Sequence, residues 1–325
     1  MSNDINEKGL ALLAKETVGF SDNVTITLLA GDASTRKYYR ARDEKQSAII
    51  VLSEPYPAND PSILSNYAFK KLGAPVPSIL KFFPDKGIMI KEDLGGVHLQ
   101  NIKDPQKLIP YYDNVVKIML SYQLNGASSR DELYPLSYSF TKEKFISELN
   151  MTTEYYIKGY KQRTLKGSEQ KELETVYEEL VDEMMTQKKL LLHRDYHSRN
   201  LMIKNDAVYV IDYQDSRLGP YTYDVASLVI DPYIELDRTL KDRIITGYYE
   251  GIKGYAKETY IDFKKHYHLC FLQRGIKILG TFAYQKVIRD NDRYLEYIHP
   301  SEAKVKDVLK SFPEWKDVIL GALLK

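Results

Sequence analysis

The segment HRDYHSRNLMIKNDAVYVIDYQD, His193 to Asp215, constrains this chain more than any other stretch. It sets Asp195 and Asn200 on one short loop and follows them with an apolar run that closes on Asp212. KKLLL at 188–192, LMI at 201–203 and AVYVI at 207–211 read as short buried strands. Asn205 and Asp206 form the turn between the last two and predict a hairpin. Such a hairpin brings Asp212 back beside Asn200.

The residue types fit one chemistry. Asp195 can accept the proton of an attacking hydroxyl, while Asn200 and Asp212 offer the hard oxygen ligands that magnesium prefers. The spacing His-x-Asp-x-x-x-x-Asn, then an apolar run ending in Asp, resembles the catalytic segment of protein-kinase-like phosphotransferases. The bland alternative is a chance tripeptide in a turn with Asp212 capping a strand, and the strand context on both sides weighs against it. Asp195, Asn200 and Asp212 are therefore the expected catalytic residues, with Asn200 and Asp212 holding Mg2+.

Around this segment the chain reads as two lobes, which its 325 residues favour over a single core. A helix near residues 4–15 is followed by the alternating strand VTITLLA, the small-residue turn Gly31 to Thr35, the alternating run RKYYRAR and the strand SAIIVLS. A helix over 59–72 ends at Gly73, and SILKFF with KGIMIKE completes a five-stranded sheet. Glu92, Asp93 and Leu94 then lead into Gly95 and Gly96, where an interlobe hinge belongs. The expectation is an α+β bilobal protein-kinase-like fold: residues 1–94 a nucleotide-binding lobe with a five-stranded antiparallel sheet, residues 95–325 a larger, mainly helical catalytic and acceptor-binding lobe.

Charge narrows the partners. Lys plus Arg number 46 against 45 acidic residues, so no bulk positive field favours nucleic acid or an anionic membrane. The start is polar and acidic, no run approaches transmembrane length, and the lone Cys270 rules out an intramolecular disulfide; a cytoplasmic enzyme is expected. The 27 tyrosines, clustered as in TEYYIKGY, read as amphipathic helix surface more readily than as stacking platforms.

The element order resembles the aminoglycoside phosphotransferase-like kinases. That resemblance implies ATP under the first turn, with Gly31, Ser34 and Thr35 against phosphate, and adenine on the hinge backbone at Glu92, Asp93 and Leu94. After Asp212 the sequence goes almost at once into a helix, leaving no room for the long activation segment of a protein kinase, so a small-molecule acceptor is expected. Read together, GDASTRKYYR, HRDYHSRNLM, IDYQDSRLGPYTYDVASLVID and QRGIKILGTFAY look similar to the bacterial anomeric kinases of N-acetylmuramate and N-acetylglucosamine, which serve cell-wall sugar recycling. The resemblance implies ATP and magnesium as cofactors and an amino-sugar acceptor phosphorylated at its anomeric hydroxyl.

The third strand, AIIVLSEP, lacks the lysine that most kinases place there, and the helix after it lacks the partner glutamate. Arg36 is the expected replacement cation, with Lys37 on the opposite strand face as its rival. His193 is expected to brace the catalytic loop and Asp224 to bond it. On the acceptor side, His197, Arg199, Asp215, Asp231, Arg274 and Lys277 are the expected ligands; Arg274 and Lys277 fall one helical turn apart, and an arginine suits a lactyl carboxylate. Carboxylates such as Asp215 and Asp231 suit sugar hydroxyls and equally the amines of an aminoglycoside. An aminoglycoside, choline or other small-amine kinase is the nearest alternative, and a nucleotide-binding pseudokinase or scaffold is the alternative of another class.

Overall fold

The computed structural model describes residues 6–29 and 36–324. Its N-terminal part holds a five-stranded antiparallel sheet in the order β1-β2-β3-β5-β4, built from β1 (Thr25–Leu29), β2 (Lys37–Arg42), β3 (Ser47–Leu52), β4 (Ile79–Phe83) and β5 (Ile88–Glu92). Alternation assigns the two faces. Tyr39, Ala41, Ala48, Ile50, Leu52, Ile88 and Ile90 pack against α1 (Glu7–Val18), which buries Leu10 and Ala14. Tyr38, Ile49, Val51 and Met89 cluster on the other face with Tyr56. Because β3 is covered on both faces, its residues 48–52 (AIIVL) are continuously apolar. The β4–β5 connection turns at Gly87, whose φ of +63° and approach to the Ser53 carbonyl leave no room for a side chain.

The helix α2 (Pro61–Lys71) starts with Pro61 behind the cap Asp60, whose carboxylate accepts from Ser62 N at 2.9 Å. It lies between the sheet and the rest of the chain. Its Ala68 and Phe69 and the following Leu72 belong to the large core of the second half, and Phe69 contacts Tyr122, Tyr213 and His193. A lobe division near Leu94 therefore separates the sheets more cleanly than the cores.

The second half is helical: α3 (Pro105–Ser128), α4 (Lys142–Met151), α5 (Gly167–Met185), α6 (Tyr223–Ile230), α7 (Arg238–Ala256), α8 (Tyr260–Val287), α9 (Ile298–Val308) and α10 (Pro313–Leu323). A π-helical segment, Thr152–Tyr160, continues α4 and packs along α8. The two meet where Gly280 faces the Thr152 backbone; a Cβ there would stand 2.8 Å from Thr152 N. Tyrosine builds this core: Tyr112, Tyr122, Tyr156, Tyr177, Tyr196, Tyr221, Tyr223 and Tyr248 are fully buried. Tyr156 lies in the TEYYIKGY cluster that sequence reasoning assigned to surface.

Four short strands frame the catalytic segment: β6 (Lys189–Leu192), β7 (Leu201–Lys204), β8 (Ala207–Val210) and β9 (Arg217–Pro220). β7 and β8 form the expected hairpin, with Asn205 at φ +49° and Asp206 at +60° in its two-residue turn. The stretch after Asp212 does not run straight into a helix. Arg217–Pro220 first adds an antiparallel strand to β6, Leu191 opposite Leu218, and α6 begins at Tyr223.

Candidate active site

A cleft of about 1070 Å³ opens between the sheet and the helical half. Asp195, Asn200 and Asp212 converge on its floor, held by geometry that the local sequence dictates. The Asn200 amide nitrogen donates to the Asp195 carbonyl at 2.9 Å and lies 3.4 Å from Asp212 Oδ2, the latter drawn in by the β7–β8 hairpin. Asp212 sits at φ +67° and Arg194 at +82°, two left-handed residues without glycine in one site, a strain that surrounding contacts must hold in place.

Those contacts are visible. Asp224, fully buried on α6, accepts from the backbone N–H of His193 at 2.7 Å and of Arg194 at 3.0 Å, and from the Tyr122 hydroxyl at 2.7 Å. Burial pushes its pKa up, opposed by His193 and these donors. His193 Nε2 lies 2.8 Å from the Ile211 carbonyl, which ties the loop to the strand before Asp212.

Asp195 keeps 32% of its side-chain surface open to the cleft and is ringed by cations. Arg274 Nη2 lies 3.3 Å and Lys277 Nζ 3.8 Å from its Oδ1, and Arg274 Nη1 also donates to the Arg194 carbonyl at 2.5 Å. Burial alone would raise the pKa of Asp195; Lys277, Arg274 and Arg194 outweigh it and hold the group well below the ordinary carboxylate range. Glu148, buried on α4, binds Arg194 at 3.0 Å and lies 3.6 Å from Lys277, so the cations around Asp195 are themselves anchored.

On the helical side, His197 and Arg199 line the cleft with Tyr233, Phe282, Arg293 and Tyr294. The Arg199 guanidinium lies 4.3 Å from the Tyr233 ring centroid. Burial is the main cause of a lowered His197 pKa, which favours the neutral ring. His197 Nδ1, Arg194 Nε and Arg274 Nε, all on cleft-lining residues, are buried side-chain atoms without a hydrogen-bond partner.

On the sheet side, the strand face of Arg36 and Tyr38 lines the cleft, whereas Lys37 is exposed. Arg36 pairs with Asp60 at 3.3 Å and lies over Tyr56. Lys91 at the end of β5 also lines the cleft, with its Nζ over the Tyr38 ring at 5.4 Å. Burial is the main cause of its lowered pKa; the Arg36 charge adds to the lowering and Asp212 opposes it.

Several expected ligands stand elsewhere. Asp231 is fully buried, and both its carboxylate oxygens accept backbone N–H groups, from Ser198 at 2.6 Å and Tyr233 at 2.8 Å; it braces the loop and does not line the cleft. Asp215 lies outside the cleft, paired with Arg194 at 3.1 Å and Arg217 at 3.6 Å. The Glu92 and Asp93 side chains turn away toward Lys204 and Arg40, at 2.8 and 2.7 Å, and Leu94 is buried, so only hinge backbone is left for a base. Gly31, Ser34 and Thr35 lie outside the described residues. Sequence reasoning missed Glu148, Lys91, Tyr233, Arg293 and Tyr294. Lys91 alone left a signal, since a strand-end lysine shares the face of Met89.

Asn200 and Asp212 fit a magnesium ion by donor chemistry: the Asn200 amide nitrogen donates to the Asp195 carbonyl and faces Asp212 Oδ2 at 3.4 Å, which leaves the Asn200 Oδ1 as an acceptor, and the Asp212 carboxylate, whose Oδ1 accepts from Gln214 Nε2 at 2.6 Å, supplies a second hard oxygen donor. Magnesium takes one or two such protein oxygens and completes its shell with water and phosphate.

Residues 123–258 match the profile of the Phosphotransferase enzyme family. Three curated relatives named N-acetylmuramate/N-acetylglucosamine kinase match most of the chain; the one from Neisseria meningitidis serogroup B is 24% identical over 285 residues, 86% of this chain and 84% of the relative. A solved choline kinase from Cryptosporidium parvum superposes with a TM-score of 0.64 at 15% identity, covering 98% of both chains. A thermostable mutant of an aminoglycoside phosphotransferase, in a ternary complex with ADP and hygromycin B, gives a TM-score of 0.54 at 15% identity over 94% of this chain and 98% of the other. The fold is the protein-kinase-like one that these solved structures share.

Proposed function

We infer that this chain is an ATP-dependent phosphotransferase whose acceptor is the anomeric hydroxyl of an N-acetylated amino sugar, N-acetylmuramate or N-acetylglucosamine. The family match and the three named relatives support the reaction class. One observation carries the acceptor: among the described residues the cleft lining holds eight Lys or Arg side chains and three carboxylates, Glu148, Asp195 and Asp212, two of which are ion-paired. A polycationic aminoglycoside or a quaternary amine needs unpaired carboxylates or an open aromatic cage. This lining suits an anionic triphosphate together with a neutral or carboxylate-bearing sugar.

In this reading the nucleotide lies between the sheet and Asp212, and the sugar lies against Tyr233, Tyr294 and Phe282. Asn200 and Asp212 hold magnesium, which neutralises phosphate charge when bound. Asp195 aligns the attacking hydroxyl and takes its proton as transfer completes. Arg274 and Lys277 keep Asp195 ionised and fixed; Asp224 and Asp231 hold the loop that carries it. The acceptor-free protein, assayed for ATP consumption against amino sugars, aminoglycosides and choline, tests the assignment. Turnover with the two N-acetylated sugars is the expected result. Turnover with amines alone would move the acceptor to the second class, and none with any acceptor would leave a nucleotide-binding scaffold.

A further inference from the structure

We propose that Lys91 is the lysine that engages the nucleotide's phosphates, reaching them from the end of β5 because β3 carries none. The proposal rests on the cleft being a nucleotide site, as inferred above. On the cleft face of the sheet β3 presents Ile49 and Val51, both apolar, and the register sets Lys91 directly across from Ile49. Met89 precedes it on the same face, opposite Val51. Lys91 is thus the cation of an otherwise apolar strip, one strand over from the empty position.

Its surroundings give the ammonium little else to do. Arg36, the other cation on this wall, is tethered to Asp60 at 3.3 Å. Among the described residues no carboxylate lies within ion-pairing distance of Lys91 Nζ, which stands 5.4 Å from the centroid of the Tyr38 ring. Asp212 is near enough for its charge to favour the ammonium without forming a pair. A half-buried lysine without a carboxylate costs the fold something that an arriving anion offsets. A diphosphate between Lys91 and the Asp212 side of the cleft supplies that anion, and Tyr38 keeps the flexible stem aimed inward. A point charge on a four-carbon stem suits this task, since phosphate oxygens present no fixed fork to match.

Titration calorimetry with adenosine, AMP and ADP, each with magnesium, separates the alternatives in the wild type and in Lys91→Met, which keeps an apolar stem of similar length. The expected result is ADP binding weakened at least about tenfold, AMP less so and adenosine unchanged, with Lys91→Arg recovering part of the loss. Equal weakening of all three ligands would make Lys91 a wall of the base pocket and overturn the proposal. Unchanged binding of all three, with a lowered melting temperature, would reduce it to a brace for Tyr38 and equally overturn it. A wild-type protein that binds none of the three sinks the nucleotide reading itself, and this inference with it.

Discussion

Asp195 is an acid made weak as a base. Three cations surround it, Lys277 and Arg274 within 4 Å, and together they outweigh the burial that would raise its pKa. A group whose folded pKa is depressed stays ionised until the pH falls through that lowered value, so its carboxylate persists below about pH 3.9, the ordinary aspartate value. Proton abstraction by such a group is feeble early in the reaction. A loose phosphoryl-transfer transition state needs little of it, because the hydroxyl is acidified as the new bond forms. Asp195→Asn is expected to lower kcat by about 10²- to 10⁴-fold while leaving the Kd for magnesium ADP nearly unchanged. Lys277→Met, which removes the strongest lowering charge, should shift the acid limb of kcat/KM to higher pH. A variant at Asp195 with near-normal turnover would refute the role. Asp195, Asn200 and Asp212 were legible in the sequence because one loop and one hairpin fix all three. Glu148 was not, because it meets Arg194 across 46 positions of chain, and only the packing of α4 on α8 brings it there.

Strand β2 turns on alternation. Its cleft face carries Tyr38 with Arg36 just before it, and Tyr39 on the opposite face packs toward α1. Lys37 is exposed, while Arg36 lines the cleft and bonds to the cap of α2. If Arg36 holds nucleotide phosphate, Arg36→Ala should raise the KM for ATP by tenfold or more and hardly move the KM for the sugar; Lys37→Ala should change neither. The reverse ranking in steady-state kinetics would show the wrong face was chosen. The five-stranded sheet and the β7–β8 hairpin were readable because period-two patterning and turn residues agree there. RLGP of β9 was hidden, since a four-residue strand containing Gly and Pro carries no period. The π-helical turn at Thr152–Tyr160 was hidden too, because its i, i+5 bonding leaves no mark in a pattern that already suits an α-helix.

At the scale of the whole molecule the two halves share more than a cleft. Phe69, fully buried, belongs by chain order to the first lobe and by contact to the core of the second, and Asn66 on the same helix donates to the Tyr213 hydroxyl at 2.6 Å. The lobes should therefore melt together. Phe69→Ala is expected to cost about 3–5 kcal/mol and to lower a single calorimetric transition without splitting it; a separate early transition for the small lobe would contradict the shared core. Gly95 and Gly96 are where the sequence leads one to expect a hinge, but a boundary between cores depends on which helix packs where, and no local pattern states that. One further consequence belongs to β9. Because Arg217–Pro220 is stapled to β6 only a few residues past Asp212, the chain beside the reacting groups has no slack to refold. A stretch clamped into a sheet at this point is fixed and cannot serve as a loop that covalent marking orders or releases.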